Sequence, residues 1–485
     1  MVPMAARRST VRRNGTHRVL VCAVCVALTL AAGLGYAVAD VADAAPGLLT
    51  LQSVETRRYT DPASSRTAGI VSGATTGAAD VDKAKVDALI ATLGQAQGVG
   101  TDFSVVVADV NGKVIAEHEA GTVREPASTT KTLTAFAAAS TLEMSSTLDT
   151  DVHLTHTGGD GVPTIVLKGH GDMLLSAGRN DPTHINGRAG LATLADRTAE
   201  ALRDKGITAV ALAADDTMFG DDREPANIAE NNNENRYYTP ISTMAVDGGR
   251  DWTGLEAQDR DSFTEYPMLS QHTAADAANT FKTLLTERGI GVTDSDDVSG
   301  QKTSNRIARV SSAPLNEVMA FMMRHSDNTL AELFGRLTAL KLGTGNSIKG
   351  DTEAVEQVLA KHGVSTEGLT LTSCSGLAPG TGLTVTTLVG VQERLADPDG
   401  GAAAALEGLS VPGLVGTARS RVADDSTRGL IRVKTGSLDH VRSLAGNVSL
   451  EKGGVLTFAV IVNSTTDIWA VNTAVDQFVA ALAKL

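Results

Sequence analysis

Ser128-Thr129-Thr130-Lys131, Ser326-Asp327-Asn328 and Lys434-Thr435-Gly436-Ser437 stand in that order along the chain. Their side chains are the parts of an acyl-transfer site: a hydroxyl to attack a carbonyl, an amine to take its proton, and a cation to hold an anionic substrate. Ser128 is the candidate nucleophile and Lys131 its base. Ser326 and Asn328 are the candidate proton relay and substrate-amide contact, and Lys434, Thr435, Gly436 and Ser437 form the candidate substrate-binding strand. A glycine at 436 would let substrate approach the strand backbone.

Each motif alone has an ordinary reading, as a helix cap, a lysine with its stem on apolar surface, or a charged strand end. A second Ser-x-x-Lys, Ser299-Gly300-Gln301-Lys302, lies among Gly, Asp and Ser and reads as a surface turn. Setting separates the two copies. Ser128 and Lys131 open the apolar run Ser128 to Leu142, free of Gly and Pro, where positions i and i+3 share one helix face. Ser326-Asp327-Asn328 precedes Leu330, Leu333, Phe334, Leu337 and Leu340, which predicts a turn at a helix start. Lys434 continues a strand that begins at Leu430. The motifs in that order and those settings carry the enzymatic reading.

Around them, helical spacing from Val81 to Leu93, a β-rich stretch from Phe103 to Val110 and Asn111-Gly112 predict a helix followed by a hairpin. Leu430 to Val433, Val441 to Leu450 and Val455 to Val462 read as three strands, closed by a helix from Asp467 to Leu485. One antiparallel sheet shared by both ends, with helices on its faces, is the expected α+β arrangement. From about 153 to 310 the texture changes: strands are predicted at Ile165 to Leu167 and Val210 to Ala213, and helices at Leu191 to Asp204 and Ala274 to Arg288. The expected organisation is 1–39 export signal or membrane anchor, 40–79 flexible linker, 80–152 with 311–485 a discontinuous acyl-transfer domain, and 153–310 an insertion.

Composition narrows the function classes. The formal charge of -14 and 3% aromatic content give nucleic acid neither a basic surface nor a stacking platform. No His-Glu-x-x-His, Gly-x-x-x-x-Gly-Lys or Gly-x-Ser-x-Gly occurs, so no metal or cofactor is expected. Asp215, Asp216, Asp221 and Asp222 match no cation cage and read as a solvated loop. His170, His325 and His440 remain candidate bases, with His325, beside Ser326, foremost. Five arginines precede the apolar segment Val19 to Ala39, which reads either as a cleaved export signal or as an uncleaved anchor. Cys374 alone lies beyond that segment, so no intrachain disulfide forms there, and the expected location is a bacterial cell envelope.

At these residues the chain resembles the serine D-alanyl-D-alanine carboxypeptidases of the penicillin-binding protein 4 type, which also act as endopeptidases, from about Asp80 to Leu485. The likeness includes Pro126 to Lys131, Gly169-His170-Gly171-Asp172, Asp215-Asp216-Thr217-Met218-Phe219, Tyr237-Tyr238-Thr239-Pro240, Ser375-Gly376-Leu377, Gly416-Thr417 and Ser443-Leu444-Ala445-Gly446. It implies a penicillin-binding/β-lactamase-like transpeptidase domain with a large inserted domain, peptidoglycan stem peptides as substrates and β-lactams as acylating inhibitors. By the same resemblance Lys434 and Thr435 hold the substrate carboxylate, and the amides of Ser128 and Ser437 form an oxyanion hole. The chain departs from its relatives at Ser373-Cys374 and Ala378. A β-lactamase, or a wall-binding relative without catalysis, are the alternative readings.

Overall fold

The computed structural model describes residues 13–42, 44, 81–155, 162–256, 258–295, 305–397, 401–451 and 453–485. Most of the linker expected over 40–79, and the second Ser-x-x-Lys at 299–302, lie outside them. The chain divides into two compact units, 1–68 and 69–485. In the first, helix α1 (Arg13–Val41) contains the stretch Val19–Val41, long and apolar enough to cross a membrane.

In the second unit, α2 (Lys83–Gly94) leads into the hairpin of β1 (Phe103–Asp109) and β2 (Val114–His118). The expected turn is present, with Gly112 at φ 81°. β1 is buried along its whole length because both of its faces are covered. Val105 and Val107 belong to one core, with Phe458, Val460 and residues of α2. Val106 and Ala108 belong to the other, with Leu133 and Phe136. This two-residue alternation turns a continuous apolar run into two packed surfaces.

The sheet is completed from the far end of the chain by β10 (Ile431–Leu438), β11 (Val441–Ser449) and β12 (Val455–Val462). Its order is β10-β11-β12-β1-β2, all antiparallel, with Val105 opposite Val460. The C-terminal helix (Ile468–Leu482) covers the α2 side. On the other side lie α3 (Lys131–Ala139) and the helices Leu315–His325, Asn328–Leu342, Ile348–Lys361 and Val385–Ala396.

A second sheet, ordered β8-β6-β4-β3-β9, uses only strands between Thr147 and Pro314: β3 (Thr147–Thr155), β4 (Thr164–Gly169), β6 (Ala209–Asp215), β8 (Gly291–Asp294) and β9 (Asn305–Pro314). It is mixed, antiparallel across β9-β3-β4 and parallel across β4-β6-β8. Helices Leu191–Arg203 and Thr273–Glu287 share its separate core. β5 (Asp172–Leu175) and β7 (Met244–Val246) form a small parallel pair.

Candidate active site

The turn that carries Ser128 is a short 3-10 segment, Ala127–Thr130, running directly into α3. Leu133 and Phe136 anchor that helix in the core, and truncating such a buried phenylalanine costs about 3–5 kcal/mol. The turn begins in a strained conformation, Ala127 at φ 50°, of the kind that persists only when its surroundings hold it. Three hydroxyls do so. Thr129 Oγ1 and Ser443 Oγ donate to Pro126 O at 2.8 and 2.6 Å, and Thr130 Oγ1 donates to Ala127 O at 2.8 Å. Two glycines let neighbouring chain approach it. A side chain at 376 would strike Ala127 O, and one at 436 would strike Ser443 Oγ and crowd Pro126 O and Ser128 N. Gly436 therefore has a packing requirement beside the substrate access expected of it: the strand meets the Ser128 turn there.

Ser128 is half-buried and Lys131 fully buried. Lys131 Nζ lies 2.9 Å from Ser128 Oγ, 2.7 Å from Asn328 Oδ1 and 2.9 Å from Ser375 O. Burial lowers its pKa to about 7, against the nearby carboxylates of Glu332 and Asp327, which favour the charged form. Ser326 occupies the expected turn, in the left-handed region at φ 55°, between helices Leu315–His325 and Asn328–Leu342. Asp327 caps the second helix by accepting from Leu330 N at 2.9 Å. Lys434 Nζ donates to Ser326 Oγ and Thr435 O, both at 2.8 Å. Burial, then the like charge of Lys131, holds its pKa well below the usual ammonium range. Thr435 Oγ1 lies 2.7 Å from Thr417 Oγ1, while Ser437 is exposed.

These contacts join all three motifs. Ser128, Lys131 and Asn328 are linked through one ammonium, and Ser326 and Lys434 through the other. The arrangement offers a hydroxyl beside an amine that titrates near pH 7, and a second buried lysine on a strand that also carries a threonine hydroxyl.

The segment from about 237 to 263 grips the Ser326 turn at several points. Arg250 pairs with Asp327 at 2.6 Å and with Asp247 at 3.1 Å, its guanidinium 4.7 Å from the centre of the Phe263 ring. Asn328 Nδ2 donates to Tyr237 O at 2.7 Å. His325 stacks on Phe263 and donates from Nε2 to Asp261 O at 3.0 Å, so it braces the turn. His440 is likewise engaged with a backbone carbonyl, Thr465 O. Arg250 and Glu332 were not found by motif, whereas Tyr237 lies in the Tyr237-Tyr238-Thr239-Pro240 block of the likeness. The available signal for Glu332 is an acid four residues after Asn328 inside an apolar helix stripe.

Among the described residues no cluster suited to a metal ion occurs. Asp215 pairs with Lys168 and Asp216 with Arg223. Cys374 is buried against Gly335, and burial pushes its thiol pKa well up.

The sequence pattern of the D-Ala-D-Ala carboxypeptidase 3 (S13) family matches residues 83–265 and 253–485. The carboxypeptidase DacB of Mycolicibacterium smegmatis is 32% identical over 76% of this chain and 78% of its own length. A carboxypeptidase of Mycobacterium tuberculosis is 31% identical over 70% of this chain and 71% of its own length. Among solved structures, penicillin binding protein 4 of Haemophilus influenzae superposes with a TM-score of 0.66 at 20% identity, covering 82% of this chain and 99% of that one, which establishes the shared fold.

Proposed function

This chain belongs to the D-Ala-D-Ala carboxypeptidase 3 (S13) family, and from that premise we infer that it is a serine-type D-Ala-D-Ala carboxypeptidase acting on peptidoglycan stem peptides. The roles we propose follow from the contacts. The terminal carboxylate of the substrate docks on Lys434 and Thr435, which places the penultimate D-Ala carbonyl over Ser128. Ser128 Oγ attacks that carbon while Lys131 Nζ takes the hydroxyl proton, and the oxyanion is held by the amides of Ser128 and Ser437. The C–N bond to the terminal D-Ala then breaks, the leaving amine taking a proton delivered through Lys131 and the Ser326 hydroxyl. Water attacks the Ser128 ester, and the shortened peptide leaves.

A β-lactam meets the same attack. Its ring amide opens onto Ser128 and its carboxylate takes the place of the peptide's on Lys434 and Thr435. Activity of this kind belongs to the cell envelope, with α1 serving as export signal or as a single anchor. The proposed organisation keeps a split acyl-transfer domain, 80–152 with 311–485, around the insertion 153–310, whose strands β3 and β9 run outward past those bounds to Thr147 and Pro314.

One observation carries the reading: the hydroxyl of Ser128 sits 2.9 Å from a fully buried amine whose pKa lies near 7. Penicillin treatment of the full-length protein should add one acyl group to the peptide containing Ser128, and a D-Ala-D-Ala pentapeptide should yield free D-alanine. An adduct that maps elsewhere, or that persists in Ser128→Ala, overturns the nucleophile assignment.

A further inference from the structure

The three oxygens around Lys131 Nζ are not equivalent. Asn328 Oδ1 and Ser375 O can only accept a hydrogen bond, whereas Ser128 Oγ can accept or donate. A neutral amine has two N–H bonds and one lone pair. With both hydrogens committed to the two carbonyl oxygens, the lone pair is left facing the Ser128 hydroxyl. That aim lasts only while both carbonyls keep their places. The Asn328 amide is fixed from behind by Tyr237 O, which accepts from its Nδ2.

The Ser375 carbonyl is fixed differently. Glu332, fully buried and one helical turn beyond Asn328, accepts from Ser375 N through Oε1 at 2.9 Å and from Cys374 N through Oε2 at 3.0 Å. Two consecutive amides converge on one side chain, and only a carboxylate has an acceptor for each. A glutamine would turn its NH2 against one of them. Burial raises the Glu332 pKa, and its hydrogen bonds from Ser375 and Cys374, followed by the charge of Lys131, oppose the rise. Desolvating a carboxyl group is costly, and here the amides of Cys374 and Ser375 and the nearby charge of Lys131 offset that cost.

We propose that Glu332 is a positioning residue for acylation: by clamping the Cys374 and Ser375 amides it holds the Ser375 carbonyl on Lys131 Nζ and so aims the lone pair of Lys131 at Ser128 Oγ. The clamp rests on the roles proposed above for Ser128 and Lys131. It is a second support for the base, placed opposite the Asn328 support and reaching the reacting atoms only through the 375 peptide.

The test compares full-length wild type, Ser128→Ala, Glu332→Gln and Glu332→Asp. Acylation by a fluorescent penicillin is followed across the pH range in which each protein stays folded, with pentapeptide turnover and thermal melting alongside. Glu332→Gln should lower the acylation plateau and kcat roughly 10- to 100-fold, the scale of a misaligned reacting group, with KM within about 2-fold. Its acid limb should move to lower pH, since the negative charge that favoured protonated Lys131 is gone. Glu332→Asp keeps the charge and loses the reach, so its plateau should fall with the acid limb in place.

Folded variants that acylate within about 2-fold of wild type with an unchanged pH profile, even with lowered melting temperatures, reduce Glu332 to a structural staple and overturn the proposal. Should Glu332→Gln not accumulate as folded protein, the plateau of Glu332→Asp decides in the same way. A wild type that is not acylated, or a Ser128→Ala chain that is, removes the nucleophile assignment itself and the clamp with it.

Discussion

The site holds two buried lysines in unlike surroundings. Lys131 and Lys434 are both fully buried, and burial drives both pKa values down. Around Lys131 stand three oxygen acceptors, with Glu332 and Asp327 near enough to favour its charged form, and the balance falls near neutrality. Lys434 has two acceptors, Ser326 Oγ and Thr435 O, and among the described residues the charge acting on it is Lys131, of its own sign. A positive charge so placed is costly until an anion joins it. In the roles proposed here one lysine accepts a proton and the other receives a carboxylate, because neighbours set what burial alone leaves open.

The contrast breaks first at the base. Lys131→Met keeps the stem and removes the amine, and should lower kcat roughly 1000-fold with KM little changed. A steady-state assay finding turnover within about 10-fold of wild type would end the base role. Lys434→Met should lower kcat/KM roughly 10- to 100-fold, the worth of a charge-assisted hydrogen bond. A peptide ending in an amide sharpens this test. Wild type should discriminate against it by a similar factor, and the variant should treat acid and amide peptides nearly alike; retained discrimination would move the carboxylate site elsewhere.

Between these lies pH. In the proposed mechanism Lys131 reacts as the free amine, and with its pKa lowered to about 7 acylation should rise about tenfold per pH unit below that point and level off above it. Stopped-flow acylation showing a flat profile through neutrality would remove Lys131 from the proton transfer. The smallest expected change comes from the brace at the Ser326 turn. Arg250→Met breaks the pair with Asp327, whose side chains are 7% and 11% exposed, and should cost about 3 kcal/mol in denaturant unfolding. Because Ser326 and Asn328 flank that pair, kcat should fall about 3- to 10-fold. A loss of stability with kcat unchanged would confine the brace to folding.

Much of the framework was legible where the cause is local. Apolar periodicity located α2 and the C-terminal helix, and an apolar run free of Gly and Pro located α3. Asn111-Gly112 marked a hairpin, and Ser326-Asp327-Asn328 marked a turn into a helix, because caps and turns satisfy backbone groups within a few residues. β3 and β9 were not read. Arg309 pairs with Asp149 and Asp151 across their ladder, and isolated charges in a strand look like loop until the partner strand is beside them. His325 looked like a base from its place next to Ser326, but the ring stacks on Phe263 and binds Asp261 O, a contact spanning 64 positions.

The amino-acid order by itself determined the chemical inventory and the one short-range pair in it. Ser128 and Lys131 fall on the same side of a helical turn because a spacing of three residues puts them there. Tertiary structure decided what those groups do. The acceptors that orient Lys131 come from 197 and 244 positions away, and the hydroxyl that meets Lys434 from 108. They converge because β10, β11 and β12 pair with a hairpin formed at the other end of the chain and the helices pack on the sheet between them. Desolvation and hydrogen-bond direction depend on which atoms lie within a few ångströms, and only the closed sheet and its helical cover bring those atoms together.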